Sequence, residues 1–97
     1  MKRNYELAFI VRMDPQQAVI DEHIKHVQEW VEADGYGEVL TMNRWGQRRL
    51  AYEIDKQRDG YYVFLDINID PVGLPELETN LKLATSVLRY LLIRKES

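Results

Sequence analysis

Residues 39–69 read VLTMNRWGQRRLAYEIDKQRDGYYVFLDINI, and the architecture of the chain can be inferred from this segment. Residues 39–54 predict a strand, with Gly46 in its middle marking a bulge or bend. Residues 55–60 are polar and end in an Asp-Gly dipeptide, which predicts a hairpin connection. Residues 61–69 alternate in polarity and predict the returning strand. The side chains of one parity in that strand are all aliphatic: Val63, Leu65, Ile67 and Ile69.

A strand and a helix precede this hairpin. Residues 5–11 are apolar at alternate positions and largely apolar between them, which predicts a strand in the centre of a sheet. Asp14 as N-cap and Pro15 at the first helical position predict a helix over residues 15–33, with Gly35 as its C-cap. One side of this helix is aliphatic: Ile20, Ile24, Val27 and Val31.

A second helix and a last strand follow the hairpin. Proline and glycine between residues 71 and 75 lead into a helix with the apolar stripe Leu74, Leu77 and Leu81, and residues 87–94 predict the final strand. The order β-α-β-β-α-β predicts an α+β fold of the ferredoxin-like, split βαβ type. We expect a four-stranded antiparallel sheet with two helices on one face and the other face open.

Length and composition limit the possibilities. Ninety-seven residues provide for one domain, which we assign to residues 1–97. The chain has no cysteine, which excludes disulfides, thiolate catalysis and sulfur-ligated metal sites. No segment has the pattern of a secretory signal or a membrane span, so we expect a cytoplasmic protein.

The charges are separated along the chain although the net charge is only −3. Residues 14–34 carry six acidic groups against Lys25 alone, whereas most basic residues lie in the predicted strands and hairpin. We therefore expect acidic helices and a basic strand side that can bind RNA phosphates. Aromatic residues between the bases could add stacking on RNA bases. The alternative is that these charges only solvate and protect strand edges.

The sequence offers little for catalysis. His23 and His26 are three residues apart on the first helix, a spacing found in metal sites, but nothing indicates further ligands, and both can simply flank the packed face. Phosphate-cleaving enzymes of this fold need a glycine-rich loop after the first strand, where this chain has Arg12-Met13-Asp14-Pro15. We expect no enzyme activity, no catalytic residue, no metal, no cofactor and no small-molecule substrate.

Several local motifs resemble the bacterial small-subunit ribosomal protein number six family. The most specific is Gly46-Gln47-Arg48-Arg49-Leu50-Ala51-Tyr52-Glu53-Ile54, followed by Lys56 and Gly60-Tyr61-Tyr62. The basic N-terminus before Tyr5-Glu6 and the ending Val87-Leu88-Arg89-Tyr90-Leu91-Leu92-Ile93-Arg94 are also similar to the family. The resemblance covers essentially the whole chain.

The resemblance implies a structural protein of the small ribosomal subunit, located on the ribosome in the cytoplasm. It implies binding to the central domain of small-subunit rRNA together with a small basic partner, ribosomal protein number eighteen, as a heterodimer. The family's basic positions, our candidate RNA contacts, correspond to Lys2, Arg3, Arg48, Arg49, Lys56, Arg89 and Arg94. The candidate contacts to the protein partner, apolar or aromatic positions of the open face, are Tyr52, Tyr62, Phe64, Leu91 and Ile93.

Some features depart from the family or leave alternatives open. The chain stops three residues after Arg94, where many relatives carry a longer tail, and Leu88 stands where many have a second arginine. Arg48 and Arg49 point to opposite faces of a regular strand, so without a bulge only one reaches RNA directly. A different function class also fits an open sheet face, namely a regulatory or self-assembling ligand-binding domain.

Overall fold

The computed structural model describes residues 1–95, so residues 96–97 of the predicted domain lie outside it. The element order β-α-β-β-α-β confirms the predicted fold class. Two short 3-10 turns, Ala33–Gly35 and Pro71–Gly73, follow the first helix and precede the second. The strands and helices are β1 Arg3–Arg12, α1 Gln17–Glu32, β2 Gly37–Ile54, β3 Gln57–Ile69, α2 Leu74–Leu83 and β4 Val87–Arg94.

The four strands form one antiparallel sheet in the order β2-β3-β1-β4. The predicted central position of β1 is confirmed, since β1 pairs with β3 on one side and with β4 on the other. Side chains alternate between the two faces of a strand, so one face can be buried while the other stays open.

The core lies between the sheet and the two helices. β1 contributes Tyr5, Leu7, Phe9 and Val11, and β3 contributes the four aliphatic residues of its predicted inner face. The stripe of α1 that the sequence predicts is buried as well, as are Leu77 and Leu81 of α2. Burial of this aliphatic surface is the main stabilising contribution, at about 25 cal/mol per Å² removed from water.

The start of α1 differs from the prediction. The helix begins at Gln17, not at residue 15, and its N-cap residue is Gln16. The Asp14 side chain accepts a hydrogen bond from the Gln16 backbone N–H at 2.8 Å, so Asp14 caps the turn before the helix. Gly35 lies in the 3-10 turn after the helix. Its φ of 70° is a conformation that glycine adopts readily because it has no Cβ.

The hairpin is tighter than predicted. β2 and β3 are joined by a two-residue turn at Asp55 and Lys56, with Ile54 paired to Gln57. Both turn residues have positive φ, 48° and 62°, which matches the right-handed twist of the strands. Gly60, assigned to the connection from sequence, lies inside β3. Glycine is needed at this position because a Cβ would stand 2.2 Å from Cγ2 of Ile10.

The bulge predicted at Gly46 is confirmed. The β2–β3 register shifts between Arg44 and Gly46, and Gly46 has a φ of 84° that favours glycine. Trp45 is the extra residue, and its ring lies on the open face against Phe64. A second shift surrounds Leu40, and a third lies between Arg49 and Ile54. These irregularities bend β2, an edge strand that otherwise offers a long template for pairing.

Candidate functional site

The face of the sheet away from the helices carries the predicted protein contacts. By register, β3 presents Tyr62 and Phe64 on this face, and β4 presents Leu91 and Ile93. Leu91 is 57% exposed and Ile93 is 47% exposed, while Tyr62 and Phe64 are half-buried. No element within residues 1–95 covers these side chains. Contiguous exposed apolar surface of this kind usually marks an interaction site.

Aromatic rings extend this apolar surface onto β2. The Trp45 ring lies 4.6 Å from the Phe64 ring, centroid to centroid, at an angle of 48°. Trp45 is 54% exposed and was not among our predicted contacts, because regular alternation does not show which face a bulged residue takes. The signal that could have found it is Gly46, whose bulge adds one residue to the strand just before it.

A shallow depression runs across the middle of this face. Its volume is about 440 Å³, and β1, β3 and β4 all contribute to its lining. Ala8 and Ile10 form its floor, and Phe64, Arg89 and Leu91 belong to its lining. It can accept apolar side chains, with an arginine at one side to bind an anionic group.

Four of the candidate RNA contacts lie at the hairpin end of the sheet: Arg48, Arg49, Lys56 and Arg89. The Arg89 guanidinium carbon lies 5.3 Å from the Tyr52 ring centroid, a cation–π contact. Arg48 donates through Nη1 to the Gln47 carbonyl oxygen at 3.0 Å. Tyr52, a predicted protein contact, is 59% exposed and contacts one of these basic groups, Arg89.

The other three candidate RNA contacts lie at the opposite end. Arg3 is paired with Ile69, and Arg94 with Tyr5, while Lys2 precedes β1. Along β1, Arg3 is about 23 Å from Ile10, the partner of Arg89 in β4. The seven bases therefore form two groups rather than one continuous patch.

The register separates Arg48 and Arg49 as the sequence predicted. Arg48 is paired with Gly60 and belongs to the open face, whereas Arg49 is paired with Asp59 and belongs to the helix face. The bulge at Trp45 comes before both residues and does not bring them to one side. Both lie near the strand end, where a ligand at the hairpin can contact both faces.

Other bases of the strand segments are held by carboxylates of the chain, contrary to a simple separation of charge. Arg44 lies on the helix side, where its Nη2 contacts the Asp21 carboxylate of α1 and its guanidinium lies over the Tyr61 ring. The hydrogen bond from Arg44 lowers the pKa of Asp21, and the same bond raises the pKa of Arg44. Arg12 binds Asp55, and Arg58 lies 3.7 Å from Glu53. Among residues 1–95, no carboxylate forms an ion pair with any of the seven candidate RNA contacts.

One end of the open face carries two acidic side chains. Glu6 and Asp66 are directly paired between β1 and β3. Asp66 accepts hydrogen bonds from Lys95 Nζ at 2.7 Å and from the Thr41 hydroxyl at 2.8 Å. The Lys95 bond is the main reason that the pKa of Asp66 is lowered, and Thr41 contributes in the same direction.

Of the two histidines of α1, His26 has local partners. His26 Nε2 lies 3.3 Å from the Glu22 carboxylate, and its ring stacks on Trp30 with 6.5 Å between centroids. Within the described residues, no three side chains of the metal-binding types form a group that could hold an ion. Over the same range, neither helix is long and apolar enough to cross a membrane.

Comparisons with known proteins agree with this arrangement. A family model described as ribosomal protein S6 matches residues 4–94. The small ribosomal subunit protein bS6 of Moorella thermoacetica is 36% identical over 94 residues, covering 97% of this chain and 95% of that protein. The bS6 protein of Saccharopolyspora erythraea is 39% identical over 93 residues, covering 96% and 78%.

A comparison with solved structures shows that the fold is similar as well. The crystal structure of 30S ribosomal protein S6 from Thermotoga maritima superimposes with a TM-score of 0.89 at 26% sequence identity. The match covers 98% of this chain and 89% of that one. The helices and strands described above are therefore shared over nearly the full length.

Proposed function

The chain belongs to the ribosomal protein S6 family, and on that premise we propose that it is a structural constituent of the small ribosomal subunit, in the cytoplasm. In this proposal it binds the central domain of small-subunit rRNA together with ribosomal protein number eighteen. Its contribution is shape, apolar surface and charge, and it performs no chemical step. Family membership supports the ribosomal role, and the geometry of the sheet supports the two kinds of contact.

The observation that carries the RNA-binding proposal is that, in the described part of the chain, carboxylates pair with other bases and not with the candidate bases. Four ion pairs hold Arg12, Arg44, Arg58 and Lys95 against carboxylates of the chain, yet none of the seven candidates has such a partner among residues 1–95. A base that is not held in an ion pair is available to contact phosphate. Phosphate contacts of this type supply most of the affinity of nucleic-acid binding.

The open sheet face supports the protein-binding part of the proposal. Aromatic and aliphatic side chains at this face lie beside the basic group at the hairpin end, where Arg89 contacts Tyr52. A protein bound over Phe64 and Leu91 would therefore adjoin RNA bound at Arg48 and Arg89. That adjacency favours joint binding of one RNA by two proteins, since each protein reduces the freedom the other must lose.

The RNA-binding proposal is tested with the double variant Arg48→Ala, Arg49→Ala. Binding to a central-domain rRNA fragment, with ribosomal protein number eighteen present, should weaken about tenfold or more, because two phosphate-binding groups are lost. The slope of log affinity against log salt should become shallower by up to about 2. Filter binding at several salt concentrations measures both quantities.

A matched control separates local contact from total charge. Lys25→Glu lowers the net charge by the same two units, but on α1 rather than at the hairpin end. This control should leave affinity and salt slope nearly unchanged. If both variants weaken binding equally, the bases at the hairpin end have no special role and the proposal fails.

The exposed apolar face also fits one other class of function, that of a self-assembling domain. Leu91 and Ile93 at an edge strand could pair with a second copy of the chain. Sedimentation equilibrium of the isolated protein distinguishes the two. A monomer supports the ribosomal proposal, and a tight dimer that Leu91→Ser dissociates supports self-assembly.

A further inference from the structure

An unfavourable pair of charges lies on the open face, beside its exposed apolar side chains. Glu6 and Asp66 are direct neighbours across β1 and β3, and like charges in this position destabilise a sheet. Aliphatic Ile93 is the neighbour of Glu6 on the other side. The carboxylate pair therefore adjoins the exposed apolar surface that the proposed partner would cover.

Lys95 compensates this pair in the isolated chain. Its Nζ lies 2.7 Å from Asp66, and both Asp66 and Glu6 raise the pKa of Lys95, Asp66 more strongly. The Lys95 backbone is fixed separately, because its N–H donates to the Asn4 carbonyl oxygen at 2.9 Å. The ammonium group can therefore leave Asp66 without detaching the end of β4.

We propose that Lys95 occupies the site, at the Glu6–Asp66 pair, where a basic side chain of the partner binds. When the partner covers the open face, its basic side chain displaces Lys95 from this pair. The inference rests on the proposed function, since it concerns the partner of that same face. It specifies the chemistry of the partner segment. That segment has apolar side chains for the depression at Phe64 and Leu91, and a lysine or arginine that binds at the acidic pair.

Charge complementarity favours this occupant over a second copy of the chain. The side chains of the ion pair are 47% and 36% exposed, and exposed pairs contribute little, so exchanging one cation for another costs little. Once the face is covered, water is excluded and an acidic pair without a cation becomes costly. A basic segment supplies that cation, whereas the same face of a second copy brings a further acidic pair.

The test measures binding of purified ribosomal protein number eighteen to variants of the full chain. Lys95→Ala should tighten binding about two- to fivefold, because the internal competitor is lost. Asp66→Asn should weaken binding by a similar factor, and Lys95→Ala should then give no tightening in the Asp66→Asn background. Lys95→Gln serves as a second variant that keeps most of the side-chain stem, and thermal unfolding checks that each variant is folded.

Two controls match the changes in net charge. Lys25→Ala and Glu29→Gln alter exposed groups of α1, and both should leave the affinity unchanged. The inference is overturned if Lys95→Ala and Lys95→Gln leave binding unchanged or weaken it. It is also overturned if the tightening persists in the Asp66→Asn background or equals that of Lys25→Ala.

Failure of the proposed function gives a different result. If the unaltered chain and every variant fail to bind the partner, the protein-binding proposal falls and this inference falls with it. If the isolated chain forms a dimer through the open face, the occupant is a second copy, and the inference is again overturned.

Discussion

At the scale of single residues, the Asp21–Arg44 contact explains why Arg44, a base that the sequence places on the strand side, lies on the helix side. Asp21 lies on α1 and Arg44 on β2, just before the bulged Trp45. Sequence spacing cannot predict this pairing, because it depends on how α1 crosses β2. The adjacent bulge, by contrast, was predictable, since Gly46 has few other reasons to interrupt a strand.

The Asp21 contact predicts a pH dependence of stability. Its folded-state pKa lies below the ordinary value of 3.8, so its contribution is present above that pH and is lost as the pH falls through the lowered folded-state pKa. Asp21→Asn should therefore reduce the free energy of unfolding at pH 7, and the difference from the unaltered chain should shrink below about pH 4. Urea denaturation at pH 7, 4 and 3 measures the difference. A constant difference across this range would contradict the prediction.

At the scale of elements, the regular strands and helices follow from the sequence and the hairpin turn does not. Alternation in β1 and β3 identifies their buried faces, and β4 was predicted with the bounds that it has. The predicted position of the hairpin turn is wrong because Asp59-Gly60 is a strong turn signal, whereas the turn residues Asp55 and Lys56 take positive φ without glycine. The sequence alone does not distinguish a glycine that is needed because a neighbouring atom leaves no space for a Cβ from a glycine that is needed for a turn.

This turn predicts a variant in which stability and RNA binding change in opposite directions. Lys56 has a φ of 62°, a conformation that costs a residue with a Cβ about 1 kcal/mol. Lys56→Gly should therefore raise the free energy of unfolding by roughly 0.5–1 kcal/mol. The same change removes a candidate phosphate contact and should weaken rRNA binding. Urea denaturation and filter binding on one preparation test both statements, and a destabilised variant would contradict the first.

At the scale of the whole molecule, the candidate RNA contacts form two basic groups. The sequence names the seven candidate bases but does not show this division, because residues at opposite ends of the chain, such as Arg3 and Arg94, meet at one end of the sheet. The acidic helical layer was predictable, since its charges lie within one continuous segment. Arg89 and Arg94, members of the two groups that share β4, are about 17 Å apart along the strand, so one RNA that contacts both groups must span about that distance.

The division also predicts how the two groups combine. Alanine substitution of Lys2, Arg3 and Arg94 should weaken rRNA binding, as should alanine substitution of Arg48, Arg49 and Arg89. Groups this far apart do not share partners, so the two losses in binding free energy should add to within about 0.5 kcal/mol. Titration of both triple variants and their combination measures this. If one triple variant binds like the unaltered chain, only the other end contacts RNA.

The pairing of Arg12 with Gly60 marks the point where β1 ends while the hairpin continues. Beyond that point, within residues 1–95, β2 and β3 pair only with each other. Arg12 binds Asp55 in the turn and the Thr85 carbonyl oxygen before β4, and Arg89 of β4 contacts the Tyr52 ring. The end of the hairpin is therefore an arm tethered through these side chains. Replacing Arg12 by alanine should let this arm open locally and accelerate amide hydrogen exchange there, while amides in the middle of β3 exchange only through global unfolding.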